Sequence, residues 1–199
     1  VKYVVVDTET GGLDSTKHSV LQIAMLFINN GEIKDTLNIY VKDDPLIITE
    51  GALKTNHITI NEEWLSKALT PNEAVTAIWK KCLNNYPSDR GPRESIFLFG
   101  QNTKFDIGFL EVLWNKRGTK KEDVQLEFSH FFKRNYFDLI SLTFMLQEMG
   151  LYPQGSVKLS AVAKYFGLLD KEQSHDAYGD ALLTFKVYEH LKGLLTPKL

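Results

Sequence analysis

Four carboxylates fall where the surrounding pattern asks for apolar side chains. Asp7 and Glu9 close the segment Val4-Val5-Val6-Asp7-Thr8-Glu9-Thr10. Side chains alternate along a strand, so positions 7 and 9 point the same way. At about 3.3 Å of rise per residue their Cα atoms lie roughly 6.6 Å apart. Asp106 opens a helix-patterned segment and is followed by Phe109, Leu110 and Leu113, so it shares their apolar stripe. Asp180 stands in the same relation to Leu183, Val187 and Leu191. Each acid alone has an ordinary explanation: a polar strand end, a helix-dipole partner or an ion pair. Gathered at one edge of a sheet they would repel, and some would stay protonated. Two Mg²⁺ ions would set about +4 against −4 and remove that conflict. An all-oxygen donor set suits Mg²⁺ or Mn²⁺ rather than zinc. Two such ions about 3.5–4 Å apart stabilise both the attacking and leaving oxygens of a phosphoryl displacement. His175 precedes Asp180 by five residues, about 140° around an ideal helix. It must therefore sit in the loop or first turn to reach the same place, where it can take a proton from water. The chemistry these residues suit is metal-assisted phosphodiester hydrolysis.

The elements that would position them are legible in outline. Residues 2–7, 20–29 and 33–42 read as strands, and Asn30-Gly31 between the last two is a hairpin signal. Residues 71–83 read as a helix, with Thr70 as N-cap, Pro71 in the first turn and Glu73 completing a capping box. Ala74, Ile78 and Cys82 form its apolar face. The run 95–100 reads as a buried strand, followed by a helix over 104–114 and a short strand near 135–137. Helices follow near 138–149, 159–166 and 174–193, with Gly167 placed to end the second of these. The stretch 86–93 reads as a surface loop. Early antiparallel strands followed by β–α units imply an α/β fold with a mixed sheet covered by helices, in one domain spanning 1–199.

Composition narrows the class. The chain of 199 residues is 43% hydrophobic and 24% charged, the composition of a folded globular protein and not of a disordered or fibrous one. Its formal charge of −2 leaves no global basic field, so a polyanion would be held by a local patch or by bound cations. Lys116, Arg117, Lys120 and Lys121, with Lys133 and Arg134 further on, are the basic groups that could track phosphates. The one cysteine, Cys82, excludes an intramolecular disulfide and suits a reducing, cytoplasmic compartment. The longest apolar stretch, 20–28, is too short to cross a bilayer, and no membrane association is expected. No G-x-x-x-x-G-K-[ST] phosphate loop is present.

The segments DTETGGL at 7–13, NTKFDIGFL at 102–110 and HDAYGDA at 175–181 resemble the three motifs of the DEDDh 3′–5′ exonucleases. That group includes the proofreading subunit of bacterial replicative DNA polymerase. VLQIAM, TNHIT, FDLISL and KLSAVAKYFGL resemble the intervening family segments in order. The resemblance implies a ribonuclease-H-like, five-stranded mixed sheet flanked by helices, with two Mg²⁺ or Mn²⁺ ions per site. Asp7, Glu9, Asp106 and Asp180 would be the metal ligands and His175 the general base. Water would attack the 3′-terminal phosphodiester in line and release a nucleoside 5′-monophosphate. Thr10, Gly11 and Leu13 would contact the terminal nucleotide, with His57, Asn102 and Phe105 also at the substrate. Two positions depart from the family pattern. Gln101 stands where the second motif usually has His, and His57 replaces a usual glycine if Asn56 aligns with the family's histidine. Both bear on substrate preference. The implied substrate is single-stranded or frayed DNA, with a DNA polymerase as a possible partner. The other readings are a 3′–5′ exoribonuclease and a non-catalytic nucleic-acid-binding module.

Overall fold

The structure is a computed structural model and describes residues 1–56, 58–87, 96–116, 127–169 and 176–196. The β-branched and aromatic residues of β1 (Lys2–Thr10), β2 (Val20–Asn29) and β3 (Glu32–Tyr40) form an antiparallel meander. Asn30 and Gly31 turn β2 into β3, both with positive φ (53° and 80°), as a tight hairpin turn of the primed type demands. On the other side of β1, the short strands β4 (Phe97–Gly100) and β5 (Phe137–Asp138) add in parallel. The sheet order is β3-β2-β1-β4-β5. This is the five-stranded mixed sheet that the sequence implies.

Each face of the sheet is covered. Val4, Val6, Ile23, Met25 and Phe27 pack against α3 (Pro71–Asn85) and α4 (Thr103–Asn115), through Ile78, Cys82, Phe109 and Leu110 among others. The alternate residues Tyr3, Val5, Ala24, Leu26 and Ile28 pack against α5 (Leu139–Glu148), α6 (Leu159–Tyr165) and α7 (Ala177–Leu195). With both faces covered, β2 is apolar along nearly its whole length instead of alternating. A small third cluster of Leu21, Trp64 and Ala68 seats α2 (Glu62–Lys67), which follows α1 (Glu50–Thr55). No described helix is long and apolar enough to cross a membrane.

Local chemistry sets the helix starts. Thr70 and Glu73 make a reciprocal capping box at α3. Asp138 does more than cap α5. Its carboxylate accepts the N–H of Ile140 at 2.9 Å, and also those of Asn102 at 3.1 Å and Thr103 at 2.8 Å. One side chain thus fixes where two helices begin, and α4 is the helix that carries Asp106. Gly100 permits the tight passage from β4 into α4, because a Cβ there would lie 2.8 Å from the carbonyl oxygen of Val6. Gly167 ends α6 with φ +69°.

The structure differs from the sequence expectation in particular places. β1 runs on to Thr10, past the expected end at residue 7, so Glu9 lies within the strand as Asp7 does. The strand expected from 95 starts at Phe97, and the short strand expected near 135–137 is Phe137–Asp138. Helices α1 and α2 were not expected; each has six residues, too few for a 3.6-residue periodicity to show. The expected loop tip at 88–93, and residues 174 and 175 of the last expected helix, lie outside the described residues.

Replacing Asp138 by Ala removes the acceptor for three backbone N–H groups. The expected loss is about 1–3 kcal/mol of unfolding free energy, measured by urea denaturation. A change below about 0.5 kcal/mol would exclude this anchoring role.

Candidate active site

The strand alternation that buries Tyr3 and Val5 beneath α7 carries Asp7 and Glu9 onto the same face. Asp180 meets them from the first turn of α7. One carboxylate oxygen from each of Asp7, Glu9 and Asp180 lies within 4.8 Å of the others. Small residues allow the approach: Ala24 pairs with Asp7 across the ladder, and Ala177 and Ala181 are buried on α7. A register shift between Glu9 and Thr10 skips Leu21 of β2, and Thr10 pairs with Val20.

Asp106 reaches the same region from the other face of the sheet. It is buried in the first turn of α4, and its Oδ1 accepts a 2.8 Å hydrogen bond from the Thr8 hydroxyl. Thr8 lies between Asp7 and Glu9 and points to the opposite side, so one strand serves both helices. Asp106 stands outside the three-acid cluster and acts on Asp7 by charge. Asp176 caps α7 by accepting the N–H of Gly179 at 2.8 Å. Its other oxygen lies 3.5 Å from the Gln22 side-chain amide. Its charge also reaches Asp7 and Glu9.

Asp7, Glu9 and Asp106 hold their protons more tightly than isolated acids do. Burial pushes Asp7 well above the usual carboxylate range, and Asp106, Asp180, Glu9 and Asp176 push it further. Burial first, then the charges of Asp180, Asp176 and Asp106, raises Glu9 to about 8. Burial raises Asp106 to about 7, although the Thr8 hydroxyl opposes the shift. The charges that act on Asp7 and Glu9 here are all negative. Three hard oxygen donors within 4.8 Å of one another fit a divalent cation such as Mg²⁺ or Mn²⁺.

Beside the acids the chain makes a tied loop. The Gly11 N–H donates to the Ser19 carbonyl at 2.7 Å, and the Gly11 carbonyl accepts the Thr49 N–H at 2.7 Å. A Cβ on Gly11 would meet the Ile47 carbonyl oxygen at 2.2 Å, so only glycine fits. The Thr10 hydroxyl donates to the Gly12 carbonyl at 2.8 Å. The buried Asn56 amide donates to the Thr10 carbonyl at 3.2 Å, tying the end of α1 to this loop. Leu13, at the tip, is 88% exposed. Phe105 packs its ring 5.0 Å from that of Phe109 and is partly buried against the core. Asn102 takes a left-handed conformation (φ 64°) with its N–H on Asp138. His175 and His57 lie outside the described residues, as do Arg117, Lys120 and Lys121. Lys116 pairs with Asp43 at 2.6 Å.

Sequence reasoning did not single out Thr8, Asp176 or Asp138. Strand alternation next to Asp7 could have flagged Thr8, and the helix-start pattern could have flagged Asp176 and Asp138.

Comparison with known proteins agrees with this geometry. A family model described as exonuclease (RNase_T) matches residues 4–85. The chain is 24% identical over 184 residues to the PolC-type DNA polymerase III of Pediococcus pentosaceus, covering 92% of this chain and 11% of that protein. To the corresponding polymerase of Thermotoga petrophila it is 26% identical over 187 residues, covering 94% of this chain and 11% of that protein. E. coli exonuclease I in complex with a dT13 oligonucleotide superimposes with a TM-score of 0.72 at 18% identity, over 96% of this chain and 41% of that one. The zinc-bound form of its complex with single-stranded DNA gives 0.73 at 18% identity, over 98% and 41%. The chain has the fold of these exonuclease I structures, and residues 4–85 are similar to the exonuclease family. It spans about a tenth of the length of its polymerase relatives and two-fifths of the exonuclease I chains.

The raised carboxylates of Asp7, Glu9 and Asp106 give the metal-free protein a pH signature. Below about pH 4 folded and unfolded chains both hold these protons. Between about pH 4 and 8 the unfolded chain releases them first, so the folded state loses stability as pH rises. Asp35 and Glu63, whose carboxylates are lowered by lysine partners, complete their own stabilisation below this window. In EDTA, Glu9→Gln should gain Tm relative to wild type progressively from pH 5 to 8. A difference that stays constant with pH would contradict the electrostatic assignment.

Proposed function

We propose that residues 1–199 act as one metal-dependent 3′–5′ exonuclease domain that removes nucleoside 5′-monophosphates from single-stranded or frayed DNA ends. The observation that carries this reading is the three-acid cluster of Asp7, Glu9 and Asp180 beside a tied, glycine-bearing loop. The cluster supplies negative oxygens for cations, and the loop offers backbone and an exposed Leu13 to a nucleotide.

The proposed cofactor is a pair of Mg²⁺ or Mn²⁺ ions, which Asp7, Glu9, Asp106 and Asp180 would hold. When bound, they would supply charge neutralisation at the phosphate and acidify the attacking water. The chain's own groups do the rest. Thr10, Gly11 and Leu13 orient the terminal sugar and base, aided by His57, Asn102 and Phe105. His175 takes a proton from water as its oxygen bonds to phosphorus. The bond from phosphorus to the 3′ oxygen of the shortened strand breaks, and that oxygen leaves and is protonated. Thr8 keeps Asp106 in place without touching substrate, so it is a positioning residue.

Deoxyribonucleotide substrates are favoured because the structural neighbours described above hold DNA oligonucleotides. The polymerase relatives support a replication or proofreading setting, with a DNA polymerase as the partner.

In Mg²⁺, labelled single-stranded DNA should lose one 5′-mononucleotide at a time from its 3′ end, faster than matched RNA, and EDTA should stop the reaction. Asp7→Ala should abolish release while leaving the fold intact. His175→Ala should slow it by the ~10²–10⁴ typical of a lost general base. Full activity in Asp7→Ala, or release from the 5′ end, would overturn the reading.

A further inference from the structure

A second cleft, of about 770 Å³, lies along one stripe of α4. Lys104, Ile107, Gly108, Glu111 and Trp114 recur on it at helical spacing, so the cleft follows α4 for roughly 15 Å. Its opposite wall comes from the short 3₁₀ turn at Phe128–His130 and the chain that follows it. That wall puts Lys133 and Arg134 in the same cleft as Lys104, together with the exposed Tyr136, the partly buried Phe128 and Phe132, which is buried in the core. Lys133 Nζ stands 4.0 Å above the ring of Phe97, and that ring packs on Phe137, which is exposed on the edge strand.

The cleft runs along the helix whose first turn carries Asp106. Lys104 is two residues from Asp106, on the same helical turn. Gly108 backs onto Ser15, which follows the loop beside the acids; a Cβ there would lie 3.3 Å from the Ser15 hydroxyl. Two acids, Glu111 and Glu127, also line it, against three cations. The other large cleft, of about 540 Å³, is lined by Glu63 and Asp176 against Lys67 alone. Within a chain of net charge −2, the excess of cations beside the site therefore lies along α4.

We propose that this cleft carries the single strand upstream of the 3′ terminus, with Lys104, Lys133 and Arg134 on its phosphates and the exposed ring of Tyr136 against a base. The proposal rests on the exonuclease reading and adds the path of the strand. Stacking on aromatic rings is tolerant of sequence, and cation contacts to phosphates make binding sensitive to salt. A nucleic acid fits better than an acidic protein segment, because an exposed aromatic ring beside Lys133 and Arg134 suits a base and its phosphates.

The test compares a thymidine dinucleotide, which ends before the cleft, with an oligothymidylate of about a dozen nucleotides, on the full chain. Lys133→Glu/Arg134→Glu should raise KM for the long strand by about tenfold or more and leave its kcat unchanged. The salt dependence of that KM should weaken by a log–log slope of about 1.4, two contacts at about 0.7 each. Dinucleotide kinetics should be unchanged, which also shows that the fold is intact. An unchanged KM for the long strand, or an equal loss on both substrates, would overturn the proposal. Should wild type hydrolyse neither substrate, the exonuclease reading fails, and fluorescence anisotropy of the labelled strand in Ca²⁺ then decides the cleft by itself. Weaker binding by the double variant supports the path; binding equal to wild type overturns it and leaves the cleft to an acidic protein partner.

Discussion

The mutual repulsion of buried carboxylates is the constraint to which the architecture answers. Asp7, Glu9 and Asp180 converge within 4.8 Å, with Asp106 and Asp176 close enough to be felt. Nothing about packing alone favours such a cluster, because a buried charge without a partner costs several kcal/mol. The fold tolerates it through protonation and through two helix N-termini. Asp106 and Asp180 both sit in first turns, where the helix dipole offers partial positive charge. A bound cation would offset the repulsion that remains.

Precision comes from the sheet. β1 sends Asp7 and Glu9 to one face and Thr8 to the other, so one strand addresses α7 and α4 together. The helices are then held at their beginnings, α4 by Asp138 and α7 by Asp176. Both anchors are polar contacts to backbone N–H groups, which fix where a helix starts more tightly than apolar packing can. The glycine-bearing loop is fastened the same way, by Ser19, Thr49 and Asn56. Polar anchoring thus sets the reactive geometry, while the two apolar layers supply the stability on which it rests.

Much of this was legible in the sequence where one short segment carries the whole signal. Alternation predicts that Asp7 and Glu9 share a face, and the Thr70–Glu73 box marks the start of α3. The stripe of Phe109, Leu110 and Leu113 predicts that Asp106 turns inward, and it is buried. What escaped depends on distant partners. Asp138 looks like an ordinary cap until the parallel pairing of β4 with β5 brings it to Asn102 and Thr103. The link from Thr8 to Asp106 spans 98 residues. Helices α1 and α2 are too short for periodicity and are specified by their caps and by the seat of Trp64 on Leu21. The sequence also offered several basic groups as equals, and only the fold sets Lys133 and Arg134 in one cleft with Lys104.

The most direct measurement is anomalous diffraction from crystals grown with Mn²⁺ at neutral pH. The account predicts strong manganese peaks among the carboxylates of Asp7, Glu9 and Asp180, with Asp106 at their edge. Ordered side chains with no manganese between them would contradict it.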